Sequence, residues 1–559
     1  MKEIISLLPY FKRYKWLLAG GVACVILQNV FNVFIPISVR GAFNSVQQVL
    51  ISKDETQLSS VIFKFACIVV GLAILRGLFM FLMRQTLIIM SRRMEFDQRN
   101  DIYNHYQSLD STFFKLNRTG DLMARLTEDV SRVRNFTGPA LMYLGNLITL
   151  IVLVVYVMFH VNSSLAVYAL LPLPILSISV YFVNQIINKR SEKIQAQLSN
   201  LTTISQETFS GVRVIQSFVQ ENAVQSHFEK ETKQYKNLSL SLAKVEAVYF
   251  PLLGLLIGVS TIGVIWKGGH LVALNQISTG HIAEFILYVT MLVWPVTSLG
   301  WVASTIQRAI VSQRRINEFL NTKPAIQNSV EDSNLKFDGE IEFKNVSLTY
   351  ANTGIKALQN VSFKIKAGEK IAVIGKNGIG KSTIAQLLTR MIETPDGEIF
   401  IDGKKINDIN LSQLRSHIGY VPQDVFLFSD TVKENILFGT DEKLAQSEIE
   451  YFAKMSAIDE EIKRLPNGYE TLIGERGVTL SGGQKQRISI ARALIKKPSI
   501  LLLDDCLSAV DASTEATLME NFSTIFKDKT VINITHRKAH IGMYDKVYEL
   551  TENGMNEVI

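Results

Sequence analysis

The sequence predicts an all-α, six-helix transmembrane domain followed by an α/β domain of the P-loop type. Three observations carry that prediction. Six apolar runs, each close to the ~20 residues that a helix needs to cross ~30 Å of hydrocarbon, all precede Phe319. A strand-like segment, Lys370 to Ile374, runs directly into a glycine-rich loop ending in Lys381 and Ser382. The 47% hydrophobic content and the mean hydropathy of +0.18 average a very apolar first half with an ordinary soluble second half. The expected boundaries are 1–318 for the membrane domain, 319–338 for a linker and 339–559 for the α/β domain.

The expected spans are Trp16 to Val39, Val61 to Met83, Leu141 to Phe159, Leu165 to Ile187, Tyr249 to Trp266 and Phe285 to Ile306. The first is too long for the apolar core of a cleaved signal peptide and reads as a retained span. Only His160 to Ser164 separate the third and fourth, which predicts a helical hairpin. The second-to-third and fourth-to-fifth connections are long, polar and free of strand alternation, so they read as helices continuing beyond the bilayer. They carry Arg92, Arg93, Arg99, Arg118, Arg125, Arg132 and Arg134, then Lys189, Arg190, Lys193, Arg213, Lys230, Lys233 and Lys236.

By the positive-inside rule those connections are cytoplasmic. Lys2, Lys12, Arg13 and Lys15 put the N-terminus on the same side, where six spans also return the chain. The net charge of +7 therefore reads as membrane topology and not as a nucleic-acid surface. Cys24, Cys67 and Cys506 are too scattered for a disulfide or metal framework and read as buried, reduced thiols. Arg76 stands in mid-span, where a charge is costly and turns toward a cavity or a partner helix. Pro172, Pro174 and Pro295 are candidate kinks.

The α/β half opens with a strand pattern from Gly339 to Leu348, followed by Tyr350. The loop after the second strand is Gly375, Lys376, Asn377, Gly378, Ile379, Gly380, Lys381, Ser382, with Thr383 opening the helix. Its glycines let backbone N–H groups converge on phosphate oxygens, and the helix N-terminus adds positive potential. Lys381 is placed for terminal phosphates and Ser382 for magnesium. Downstream, the apolar run Ile500 to Leu503 ends in Asp504 and Asp505, where the first carboxylate suits a magnesium shell and the second could polarise water.

Between the loop and that acidic strand stand Leu480, Ser481, Gly482, Gly483 and Gln484. On this LSGGQ sequence the chain is identified as resembling the ATP-binding cassette family, with exporter-type segments over almost its whole length. Tyr350 resembles the adenine-stacking aromatic, Gln423 in YVPQDVF the glutamine-loop residue, Ser508 to Asp511 the D-loop, and His536 in ITHR the switch histidine. Gly474 to Gly477 match an exporter-type segment ahead of LSGGQ. FFKLNRTGDLMARLTEDV and ETFSGVRVIQSF resemble the loops that carry coupling helices in such exporters.

The resemblance implies ATP and Mg2+ as ligands, and composite sites in which the loop of one chain faces the LSGGQ of another. A chain with one domain of each kind must then pair. Where the family carries a catalytic glutamate, this chain has Asp505, as in one subunit of heterodimeric bacterial multidrug exporters. That points to a second, different half-transporter as partner, with a homodimer as the alternative. The implied activity is export of a hydrophobic or amphipathic compound across a bacterial inner membrane, with the N-terminus and nucleotide domain cytoplasmic. A lipid flippase, a peptide exporter or an ATP-binding regulatory subunit are the competing readings, and nucleic acid is not expected as a partner. Asn29, Asn32, Asn146, Gln185, Tyr288, Trp294 and Gln307 are candidates for a mixed substrate cavity.

Overall fold

A computed structural model describes residues 2–52, 55–326, 328, 337–350, 353–394, 396–474, 477, 480–536 and 541–558. Packing divides the chain into two units: Met1–His105 with Gly120–Thr322, and Tyr106–Thr119 with Lys323–Ile559.

The first unit is helical. Its long elements are α1 (Lys15–Ser52), α2 (Glu55–Ser108), α3 (Leu141–Val161), α4 (Ser163–Leu170), α5 (Pro172–Ser210), α6 (Glu221–Ala273) and α7 (Thr279–Leu320). At 1.5 Å per residue a helix as long as α2 extends about 80 Å, far more than a ~30 Å hydrocarbon layer. The basic connections are thus helical as expected: α2, α5 and α6 continue into them, and Arg125, Arg132 and Arg134 lie in the run Thr119–Val161 that leads into α3. Many of their arginines are paired: Arg92 and Arg99 with Glu95 at 3.0 and 2.8 Å, and Arg125 with Asp121 at 2.8 Å.

Among the described residues, five helical runs are long and apolar enough to cross a membrane: Lys15–Ile51, Leu58–Ser108, Thr119–Val161, Glu221–Ala273 and Thr279–Leu320. The expected fourth span, Leu165 to Ile187, is not among them, so a count of six is not established. Its apolar residues are divided between α4 and the start of α5, because Pro172 has no N–H to continue the ladder. The expected hairpin before it does form. Asn162 sits in extended conformation between α3 and α4, and its Oδ1 accepts from Leu165 N at 2.9 Å. The run into α3 contains π-helical turns at Arg125–Asp129 and Phe136–Ala140, the second around Pro139.

The core of this unit is a stripe on α7, Phe285, Tyr288, Val289 and Leu292, at the spacing of one helical face. It packs with Val154 and Met158 of α3, Leu165, Ala166 and Ala169 of α4, and Val264 of α6. On α2, by contrast, Phe63, Val70 and Ile74 are 72%, 57% and 66% exposed, an outward apolar surface that hydrocarbon accommodates. The cysteines are free, but only Cys506 is buried. Cys24 is half-buried and Cys67 exposed on α2, because an apolar span does not have to turn its small residues inward.

The second unit holds two sheets. Strands β1 (Ile341–Thr349), β2 (Lys356–Ile365), β4 (Asp396–Ile401) and β5 (Lys404–Lys405) form an antiparallel sheet of order β2-β1-β4-β5. A six-stranded sheet of order β10-β9-β3-β8-β7-β6 is parallel from β9 to β6 and antiparallel at β10. Its members are β3 (Lys370–Ile374), β6 (Ile418–Val421), β7 (Ile500–Asp504), β8 (Thr530–Ile534), β9 (Lys546–Thr551) and β10 (Gly554–Glu557). Helices α8 (Lys381–Leu388), α9 (Gly482–Ile495) and α10 (Ala512–Ile525) belong to this unit. Strands β7 and β8 are buried at every residue, as parallel strands covered on both faces must be.

A buried charge network braces the helical unit. Glu284 is fully buried, with its Oε2 accepting from Arg40 at 3.0 Å and its Oε1 from Tyr288 Oη at 3.1 Å. Removing the guanidinium leaves that carboxylate unpaired, so Arg40→Ala is expected to cost about 3 kcal/mol or more. Thermal unfolding in detergent checks this, and adding Glu284→Gln to Arg40→Ala should recover part of the loss.

Candidate functional site

Strand β3 is buried from Ile371 to Ile374, and the chain leaves its carboxyl end through the loop 375–380 into α8. Two loop glycines are costly to replace, the first for its backbone conformation and the second also for want of space. Gly378 has φ +79°, and Gly380, which precedes α8, has φ +106° with its absent Cβ only 2.0 Å from the Ala357 carbonyl oxygen. Lys381, the first residue of α8, folds back so that Nζ donates to the carbonyl oxygens of Gly375 and Lys376, each at 2.8 Å. Burial pushes the Lys381 ammonium below the usual lysine range, while Asp505 and Asp504 pull it the other way. Ile379 turns its side chain into the domain core.

Asp504 ends β7 at 2% exposure. Ser382 Oγ donates to its Oδ1 at 2.9 Å. Burial pushes the Asp504 carboxyl above the usual carboxylate range. The hydrogen bond from Ser382 opposes that rise, the neighbouring charge of Asp505 adds to it, and Lys381 and a hydrogen bond from Tyr420 offset it further. Asp505 takes φ +49°, a left-handed conformation that aspartate tolerates better than most residues. Its N–H donates to the Ile534 carbonyl at 2.8 Å, and its Oδ1 lies 2.9 Å from His536 Nδ1. Tyr350 Oη lies 3.1 Å from Thr383 Oγ1.

These groups converge. Tyr350, Asn377, Gly378, Gly380, Lys381, Ser382, Thr383, Gln423, Asp504, Asp505 and His536 all line one cavity of about 490 Å3, of a size that suits a small-molecule ligand. Gly375 and Lys376 shape the loop through their carbonyl contacts with Lys381 without lining the cavity. Sequence reasoning missed Tyr420 and Gln386. Gln386 lines the cavity one turn along α8 from Ser382, and Tyr420 lies inside the quoted YVPQ segment, whose spacing could have flagged it.

Ser481, Gly482, Gly483 and Gln484 are not part of that cavity. They begin α9, where Ser481 Oγ accepts from Gln484 N at 3.3 Å and Gln484 Oε1 accepts from Ser481 N at 2.9 Å, a reciprocal cap. Gln486 ties the helix to the segment after Asp505, donating to Ser508 Oγ at 3.0 Å and accepting from Ala509 N at 3.1 Å. Of the expected segment Gly474 to Gly477, Glu475 and Arg476 lie outside the described residues.

A second cavity, of about 550 Å3, lies among α1, α2, α3 and α7. Asn29, Asn32, Asn146 and Trp294 line it, as does Arg76. Tyr288 does not: its hydroxyl is spent on Glu284 and on the Val33 carbonyl. Gln185 and Gln307 are also outside its lining.

Helices built for hydrocarbon, joined to a domain with a phosphate loop and a strand ending in paired carboxylates, define a membrane protein with a nucleoside-triphosphate-binding domain. Comparison with known proteins makes the family specific. The ABC transporter transmembrane region model matches residues 18–296 and the ABC transporter model residues 358–508. The chain is 36% identical over 450 residues to the Probable multidrug resistance ABC transporter ATP-binding/permease protein YheI of Bacillus subtilis (strain 168), covering 80% of this chain and 77% of that protein. It is 30% identical over 538 residues to the Multidrug resistance-like ATP-binding protein MdlA of Escherichia coli (strain K12), covering 96% and 90%. It is 30% identical over 553 residues to the ATP-dependent lipid A-core flippase of Haemophilus influenzae (strain 86-028NP), covering 99% and 94%.

The chain belongs to the ATP-binding cassette transporter family, as an exporter half-transporter with an ATPase coupled to transport.

Two outcomes follow from the geometry. Because the folded-state pKa of Asp504 is raised, ionising it opposes folding as pH rises above its unfolded value, and that cost is present at neutral pH. Asp504→Asn should therefore raise the melting temperature of the nucleotide-free protein while removing ATP turnover, read by scanning fluorimetry and phosphate release. Gly380→Ala should abolish ATP binding measured with a fluorescent nucleotide, since its methyl group collides with the Ala357 carbonyl.

Proposed function

We propose that this chain is one half of a heterodimeric, ATP-driven exporter of hydrophobic or amphipathic compounds, and that its own ATP site turns over slowly. The observation that carries this reading is Asp505, paired with His536 at the mouth of the cavity where a catalytic carboxylate is needed. An aspartate reaches about 1.3 Å less far than a glutamate, and misplacement on the ~1 Å scale costs on the order of a hundredfold in rate.

In this reading Tyr350 stacks on the adenine, the loop 375–380 and Lys381 bind the phosphates, and Asp505 with His536 orients the attacking water. Ser382, Asp504 and Gln423 would hold Mg2+, which neutralises phosphate charge when bound. A hydroxyl, a carboxylate and an amide oxygen in one cavity are the hard donors that ion takes. Ser481 to Gln484, remote from their own chain's cavity, complete the site of the partner, which makes pairing obligatory for turnover.

The membrane domain comprises 1–318, followed by a linker over 319–338 and the nucleotide domain over 339–559. The broken pair α4 and α5 serves as a sixth crossing, which returns the nucleotide domain to the cytoplasmic side with the N-terminus, in a bacterial inner membrane. The short helix Ser111–Leu116 overlaps the first quoted coupling-loop sequence from Phe113 onward, Val212–Ser217 lies within the second, and in this reading both transmit closure of the nucleotide domains. Relatives named as multidrug transporters support export of small amphipathic compounds, and the relative named as a flippase keeps lipid transport as the second reading.

The test is ATP turnover of the purified chain alone in lipid. Near-zero activity, raised about tenfold or more by Asp505→Glu, is the expected result. Robust turnover of the unaltered chain, lost in Lys381→Ala, would mean a working homodimer and overturn the heterodimer.

A further inference from the structure

We infer that the cavity among α1, α2, α3 and α7 selects anionic amphiphiles, molecules with an apolar body and a carboxylate- or phosphate-type head. This names the substrate class of the export reading above and rests on it.

The cavity carries two full positive charges and no negative one. Arg76 and Arg84 both line it, two turns apart on α2, and its lining contains no aspartate or glutamate among the described residues. Glu284, one turn from Leu287 on α7, is fully buried and already holds Arg40 and Tyr288. A guanidinium cannot shed its proton to escape an apolar setting, so a pair of them facing a membrane cavity calls for an anion. The planar fork of each suits a carboxylate or phosphate.

In the same lining, α1 and α3 contribute an amide patch. Asn29 Nδ2 donates to the Asn146 carbonyl at 3.4 Å, and Gln28 Nε2 donates to Asn146 Oδ1 at 2.6 Å. Gln28 is 8% exposed, and its Oε1 is buried with no partner among the described residues. That acceptor is left for a ligand hydroxyl or N–H beside the anionic group. The remaining wall is soft and apolar, with Met80, Met83, Met142, Met291 and Trp294. Methionines adapt to apolar bodies of varied shape. The volume of about 550 Å3 accommodates a headgroup and part of a chain.

A charge series on one apolar body tests this: pyrenebutyrate, pyrenebutanol and pyrenebutyltrimethylammonium. Each is titrated without nucleotide into the full chain, with any chain that co-purifies, in phosphatidylcholine proteoliposomes. Energy transfer from tryptophan to pyrene is read after subtracting the Trp294→Phe signal and protein-free liposomes. We expect the anion to bind about tenfold more tightly than the neutral probe, and the cation least. Arg76→Gln with Arg84→Gln should remove the anion's advantage and leave the neutral probe unchanged, whereas Arg76→Lys with Arg84→Lys should keep most of it. Equal or tighter binding of the cation, or an anion advantage that survives the glutamine pair, overturns the proposal. Competition by added phosphatidylglycerol would assign the head to a lipid, and its absence to a free amphiphile. ATP-dependent accumulation in inside-out vesicles is scored separately: uptake of pyrenebutanol without anion preference sinks the charge class alone, and anion-selective binding without any uptake sinks export alone.

Discussion

Three buried parallel strands set the positions of the phosphate loop, of Asp504 and Asp505, and of His536. Pairing puts Val373 of β3 opposite Ile534 of β8, and Ile534 opposite Asp504 of β7, so one row crosses the sheet at its carboxyl edge. The phosphate loop leaves two residues after Val373, His536 lies two residues after Ile534, and Asp505 follows Asp504 directly. Ligands bind at that edge in open α/β sheets because strand ends, loops and helix N-termini converge there. A slip in register by one residue would exchange the side chains that β7 and β8 send into the two cores on either face of the sheet, so their apolar packing also holds the polar site in place.

The polar groups at that edge are arranged at some cost. Asp504 is buried, and Ser382 and Tyr420 provide the hydrogen bonds that make its charge tolerable. Asp505 accepts a left-handed backbone, held by its N–H bond to Ile534, and so presents its carboxylate to His536. Such local departures from the most comfortable geometry gather where chemistry is done. The LSGGQ residues are well capped and fixed to the 508–511 segment, yet they are absent from their own chain's cavity.

In the membrane unit, hydrocarbon reverses the usual rule about exposure. The span of α2 turns large apolar side chains outward, while polar residues are gathered inside, as in the Arg40, Glu284 and Tyr288 network and the amide patch of α1. The break between α4 and α5 costs a helical hydrogen bond that Pro172 could never make.

Apolar run length and motif spacing determine much of this protein on their own. Hydrocarbon thickness dictates the length of a span, and phosphate chemistry dictates glycines, a lysine and a hydroxyl in fixed order, so both are legible without a structure. Asp504 and Asp505 at the end of an apolar strand could be anticipated from the residues, whereas Tyr350, Gln423 and His536 were placed with them only by what the family resemblance implies. Packing alone decided the rest. A polar residue in an apolar run reads the same whether it faces a cavity or a partner, and only neighbouring helices send Asn32 to the cavity and Arg40 to Glu284. Tyr420 matters because β6 lies beside β7, a pairing across many residues that no local pattern encodes. The division of the fourth apolar run at Pro172 was likewise a matter of backbone hydrogen bonding, which composition averages away.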